Sequence, residues 1–193
     1  MPLRISHRFL VAGLVLPLGR LLTGGRVITG PLAGDELVAV VARYRELYRA
    51  SYMFEAQPYE GIPETLETLH EHGFALGVAS NKLVDLVVAL MEHYGFDRYM
   101  SSLHGSDIGG VVTKADSIRA CMADWNAGRA QACHPLMVGD SVHDGRAAAE
   151  VGVPFLGVTY GFGFTRATDV DTATTVGSVG SARGIVAYAE GRA

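Results

Sequence analysis

Leu136-Met137-Val138-Gly139-Asp140-Ser141-Val142-His143-Asp144 closes an apolar run on a Gly-Asp pair and sets a second carboxylate one helical turn further on. A short apolar run bounded by Gly reads as a buried strand. That places Asp140 at the strand's carboxyl end and Asp144 in the first turn of the following helix. Open α/β sheets collect their ligands at the carboxyl ends of strands. Two carboxylates held together there suit a hard cation such as Mg2+, which takes oxygen ligands and keeps several waters.

The pattern on either side has the same grain. Upstream, Phe74 to Ala79 is a second buried strand that ends at Ser80-Asn81-Lys82, and Pro63 to Gly73 before it reads as a helix. Leu83, Leu86, Val87, Leu90, Met91 and Tyr94 then fall on one helical face closed by Gly95. Tyr99 to His104 carries a weak strand signal. Thr113-Lys114 opens a helix whose apolar face is Ile118, Cys121, Met122 and Trp125. Downstream of Asp144 come an alanine-rich helix ending at Gly152, a strand over Val153 to Val158, and a last strand around Thr174 to Val179. Strands alternating with helices predict an α/β fold, a three-layer Rossmann-like parallel sheet covered on both faces. Ahead of it, Leu37, Val40, Val41, Tyr44, Leu47, Tyr48 and Tyr52 mark one long amphipathic helix, which fits a small helical cap.

The 193-residue chain suffices for one full domain with an insert. A net charge of -4 and a pI near 5.9, with no basic run, argue against a nucleic-acid partner. Although 49% of the residues are hydrophobic, no stretch reaches the roughly 18 uninterrupted apolar residues of a membrane span. Cys121 and Cys133 sit in no C-x-x-C pattern, so free thiols in a reducing cytoplasm are expected. Met1 to Leu18 mimics the basic and apolar regions of a secretory signal, but no A-x-A follows. The run Phe9 to Leu16 is therefore read as a strand or helix of the fold.

Ser80 at a strand end offers a hydroxyl, Lys114 a fixed positive charge, and Asp140 with Asp144 a metal post. Together these are what a phosphoryl group needs for charge neutralisation and positioning. Taken singly each has a plainer reading: Ser80 as a helix N-cap, Lys114 as a surface lysine, Asp144 as a partner of the helix macrodipole. Their order along the chain favours the joint reading.

Val78-Ala79-Ser80-Asn81-Lys82, then Lys114, then Val138-Gly139-Asp140-Ser141-Val142-His143-Asp144 resemble the second, third and fourth motifs of the haloacid dehalogenase-like (HAD) hydrolases, in their phosphoglycolate phosphatase-like branch. Tyr59 to Ile62 and the glycine-rich Gly157 to Gly163 support the likeness, which runs from about Arg26 to the C-terminus. The resemblance implies a Mg2+-dependent phosphomonoesterase acting on a small phosphorylated metabolite, as a monomer or homodimer. Ser80 and Asn81 would bind the phosphoryl oxygens, Lys114 would balance their charge, and Asp140 and Asp144 would hold the metal. It also implies three segments: an atypical stretch over 1–18, a partial helical cap over 19–58, and the core over 59–193.

Two departures stand out. Lys114 is followed by Ala115-Asp116, where the family has a proline-containing turn. More consequentially, the family's leading Asp-x-Asp, which supplies the nucleophile at the end of the first strand, has no counterpart, because no acidic residue precedes Asp35. The chain as given is expected to be truncated or inactive, the alternative being a catalytically dead phosphate-binding or interaction module. The central strand slot is expected to be filled by Phe9 to Leu16 without a carboxylate, since an empty slot would leave two inner edges unpaired.

Overall fold

In the computed structural model, the structure describes residues 8–12, 39, 42–43, 46–170 and 173–191. Six strands form one parallel sheet: β1 (Arg8–Ala12), β2 (Ala75–Leu83), β3 (Met100–Ser106), β4 (His134–Gly139), β5 (Phe155–Val158) and β6 (Thr175–Val179). Their order is β3-β2-β1-β4-β5-β6. The helices are α1 (Ile62–Glu71), α2 (Val84–His93), α3 (Lys114–Asn126), α4 (Val142–Val151) and α5 (Ala182–Ala189). The last of these helices lies beyond the final predicted strand and was not anticipated from the sequence.

The central place belongs to β1. Ala12 is registered against Val78 on β2 and Val138 on β4, so both neighbours find their backbone partners in this short apolar segment. The four residues after Ala12 that belong to the same predicted strand lie outside the described residues.

α3 and α4 cover one face over a buried cluster that includes Ile118, Cys121, Trp125, Met137, Ala148 and Phe155. Because successive strand residues point to opposite faces, Leu136, Val138, Leu156 and Val158 are buried on the other side. There α1 and α5 pack against each other, which accounts for the apolar stripe Ile185, Val186 and Ala189. Both cysteines are free and buried, and burial pushes the Cys121 thiol up to about 11.

Two strands differ from the expected bounds. β2 continues through Ser80 to Leu83, with a break in its register against β3 between Ala79 and Leu83. The polar triplet looked like a terminus, but the edge strand β3 supplies it with partners, and Ser106 Oγ donates to the Asn81 carbonyl at 2.8 Å. β3 itself is fully formed despite its weak pattern. Ser102 and His104 are tied to α3: Ser102 Oγ and His104 Nε2 both meet Asp124 Oδ2, at 2.7 and 2.8 Å.

By its internal contacts the chain divides into two units, Leu16–Gln57 and the remainder, Met1–Val15 with Pro58–Ala193. Within the first, Ala39, Ala42, Arg43, Glu46 and Leu47 are helical, and a π-helical turn follows over Tyr48–Tyr52. Tyr48 is buried, whereas Leu47, placed by its spacing on the apolar face, is 42% exposed. Leu37, Val40, Val41 and Tyr44 lie outside the described residues. No helix among the described residues is long and apolar enough to cross a membrane.

Candidate functional site

Ser80 and Asp140 stand two residues beyond Val78 and Val138, the pair that share Ala12 as a partner. They therefore reach the carboxyl edge at one level, on the two strands flanking β1. Lys114 arrives from α3. Its Nζ donates to Oδ1 of Asp144, and the lysine side chain is 14% exposed. The surface-lysine reading fails here, because the ammonium is held in a buried ion pair.

Asp144 is 2% exposed and fully engaged. While Oδ1 meets Lys114, Oδ2 accepts from the backbone N–H and hydroxyl of Ser141, at 3.1 and 2.7 Å. The second pair of bonds is half of a capping box, since Ser141 Oγ in turn accepts from the Asp144 N–H. A Cβ on Gly139 would fall 2.5 Å from the Cβ of Asp144, so only glycine lets strand and helix approach this closely.

Asp140 is also buried, and its Oδ2 accepts from the N–H groups of Phe162 (2.6 Å) and Gly163 (3.1 Å). The Phe164 N–H reaches its carbonyl at 2.6 Å. The loop after β5 is thus tied around Asp140, and a Cβ on Gly161 would stand 2.3 Å from the aspartate's own Cβ. Among the described residues no donor reaches Oδ1 of Asp140.

Ser80 is buried, and its Oγ accepts from the Lys82 N–H at 3.1 Å. Its own proton remains available to an anionic oxygen. It is not the cap of α2, whose N-cap is Leu83. Asn81 is exposed beside it. Burial lowers the pKa of the nearby Lys82 ammonium.

The residue pair that departs from the family turn has a local explanation. Thr113 is the N-cap of α3, accepting from the Asp116 N–H while the Asp116 carboxylate accepts from the Thr113 N–H at 3.0 Å. A capping box orients the first turn of the helix, and hence Lys114, in place of a proline. The spacings Thr113-x-x-Asp116 and Ser141-x-x-Asp144 are the signals by which the two caps could have been found in the sequence. Less legible were Tyr59 and Tyr160, which meet edge to face at 5.6 Å. Burial first, then the negative charge of Asp140, pushes the Tyr160 hydroxyl up to about 12, so it stays a donor at neutral pH.

For Mg2+ the donor set is lean. No group of three or more His, Cys, Asp or Glu converges among the described residues. Among the described residues Oδ1 of Asp140 accepts no hydrogen bond, and this cation accepts one or two carboxylates when phosphate oxygens and water complete its shell. The residues fit a cation that arrives with a phosphate ester.

A model of the haloacid dehalogenase-like hydrolases matches residues 27–158. A 5'-nucleotidase of Pseudomonas aeruginosa is 36% identical over 123 residues, covering 64% of this chain and 55% of the relative. A phosphoglycolate phosphatase of Agrobacterium fabrum is 34% identical, over 62% of this chain and 51% of the relative. The chain thus spans about half the length of these curated relatives. The crystal structure of a predicted phosphatase from Clostridium acetobutylicum superimposes with a TM-score of 0.73 at 26% identity, over 93% of this chain and 96% of that one. With its sheet order, its Ser80, Lys114 and Asp140 at one edge and these likenesses, the chain belongs to the haloacid dehalogenase-like hydrolases, in their phosphoglycolate phosphatase-like branch.

Proposed function

We propose that this chain binds the phosphoryl group of a small phosphate monoester at the carboxyl edge of β2, β1 and β4, and that residues 1–193 hold the ester without cleaving it. Ser80 donates its hydroxyl to a phosphoryl oxygen, Asn81 lies alongside, and Lys114, anchored by Asp144, supplies the balancing charge. Mg2+, when bound, neutralises phosphoryl charge, and Asp140 would hold it. The reading rests on one observation: β1 fills the central slot between the strands of Ser80 and Asp140, and no carboxylate occurs in the sequence before Asp35. A phosphorus-attacking carboxylate on the central strand is what the family's chemistry requires. Removing a nucleophile from another hydrolase costs on the order of a million-fold in turnover.

The discriminating experiment pairs calorimetric titration of inorganic phosphate with a phosphate-release assay on p-nitrophenyl phosphate. Phosphate should bind the 193-residue chain, and Lys114→Ala should weaken it at least about tenfold, as expected for loss of a charge-assisted bond. Release of phosphate from the ester that Asp140→Asn abolishes would show a working hydrolase and sink the reading.

A further inference from the structure

Two adjoining cavities lie along the seam between α1 and α5, within the unit that contains the sheet. The first, of about 540 Å3, is lined among others by Tyr59, Glu60, Glu64, Tyr160 and Arg183. The second, of about 470 Å3, continues past Thr65 and Val186, and Glu64 and Arg183 line both. Thr65 is 3% exposed, and its hydroxyl has no hydrogen-bond partner among the described residues. The two sides carry opposite charge. Glu60 and Glu64 stand just before and within the first turn of α1, and Arg183 stands in the first turn of α5. Among the described residues none of these three side chains enters an ion pair or hydrogen bond, so opposite charges line one space without cancelling.

From this geometry we infer that the seam is a second ligand site, separate from the phosphoryl site and independent of it, and that it takes a zwitterion: an α-amino acid or short peptide with free ammonium and carboxylate. A ligand of one sign would be drawn to one side and repelled by the other, whereas a zwitterion answers both. Its ammonium is held by Glu60 and Glu64 and by Tyr59 and Tyr160, whose rings meet edge to face at 5.6 Å and offer π faces to a cation. Its carboxylate is held by the Arg183 guanidinium and by the opening N–H groups of α5, where the helix macrodipole is positive. The buried Thr65 hydroxyl gives the body of the ligand a further polar partner. Inorganic phosphate would face the two glutamates. A bare divalent cation would face Arg183, with no group of three or more His, Cys, Asp or Glu converging among the described residues. Each volume lies in the range of about 300–1,000 Å3 usual for small-molecule pockets.

The test titrates the full 193-residue chain by calorimetry with L-phenylalanine, 2-phenylethylamine, which lacks the carboxylate, and 3-phenylpropionate, which lacks the ammonium. Phenylalanine should bind at least about tenfold more tightly than either analogue, the gain expected of one further charge-assisted bond. Arg183→Gln, at an exposed position, should bring phenylalanine down to the affinity of the amine and leave the amine unmoved. Glu64→Gln, also exposed, should weaken phenylalanine and the amine and leave the propionate no weaker. Lys114→Ala should not move phenylalanine. Absence of phenylalanine binding, either analogue binding as tightly as phenylalanine, or insensitivity to both cavity variants overturns the proposal. Phenylalanine weakened as strongly by Lys114→Ala as by Arg183→Gln would put it in the phosphoryl site and overturns it too. Loss of inorganic phosphate binding in Lys114→Ala with phenylalanine unchanged supports two separate sites.

Discussion

At the scale of single residues, Asp140 and Asp144 look equivalent in the sequence and are not equivalent in the fold. Asp144 spends one oxygen on Lys114 and the other on its own helix cap, whereas Oδ1 of Asp140 accepts no hydrogen bond among the described residues. The two asparagine variants should therefore differ in kind. Asp140→Asn is expected to remove any enhancement of phosphate affinity by Mg2+ while leaving the metal-free affinity nearly unchanged. Asp144→Asn is expected to weaken phosphate with or without Mg2+, because Lys114 loses its anchor. Calorimetric titration of phosphate with the metal present and absent separates them, and identical behaviour of the two variants would refute the division of labour.

At the scale of elements, the site depends on how α3 is held at its two ends. Its start is oriented by the Thr113 capping box and its far end by Asp124, which accepts from Ser102 and His104 on β3. Replacing Thr113 by Ala should cost about 1 kcal/mol in denaturant unfolding and also weaken phosphate, because Lys114 is the first residue of the helix. At the other end, the Ser102 hydroxyl first, then the His104 ring, holds the Asp124 carboxyl below the usual carboxylate range. A depressed pKa in the folded state stabilises above the unfolded value of about 3.9 and ceases to do so as pH falls through the folded one. Accordingly, Asp124→Asn should be less stable than the parent at pH 6, and its Tm should fall less between pH 5 and pH 3. Parallel Tm curves for the two proteins over that window would show that the β3 link contributes nothing.

For the whole molecule, a five-residue strand decides whether the sheet is continuous. β1 has a partner on each side, so its backbone satisfies groups on both halves of the core. Val11→Pro would remove one ladder N–H and lock φ in the centre of the sheet, where proline is not tolerated. It should abolish the cooperative unfolding transition reported by the fluorescence of buried Trp125, while Val11→Ala retains it. A Val11→Pro chain as stable as Val11→Ala would mean that the halves hold together without this strand.

Much of this is legible in the sequence, and for definite reasons. Apolar runs ending at Gly-Asp, apolar residues at helical spacing and glycine stops are local signals, each determined by a few neighbouring residues. They were enough to indicate the alternating parallel architecture, while the order of Ser80, Lys114, Asp140 and Asp144 along the chain and the lack of a carboxylate before Asp35 are read directly from the sequence. The continuation of β2 past Ser80, the helix α5, the exposure of Leu47 and the pairing of Lys114 with Asp144 were decided only by the tertiary structure. Those outcomes depend on partners distant in the chain, and a backbone group or a carboxylate takes whichever partner packing brings within reach. The bonds from the Phe162 and Gly163 N–H groups to Asp140 are of this second kind: they exist because a glycine-rich loop after one strand closes around the end of another.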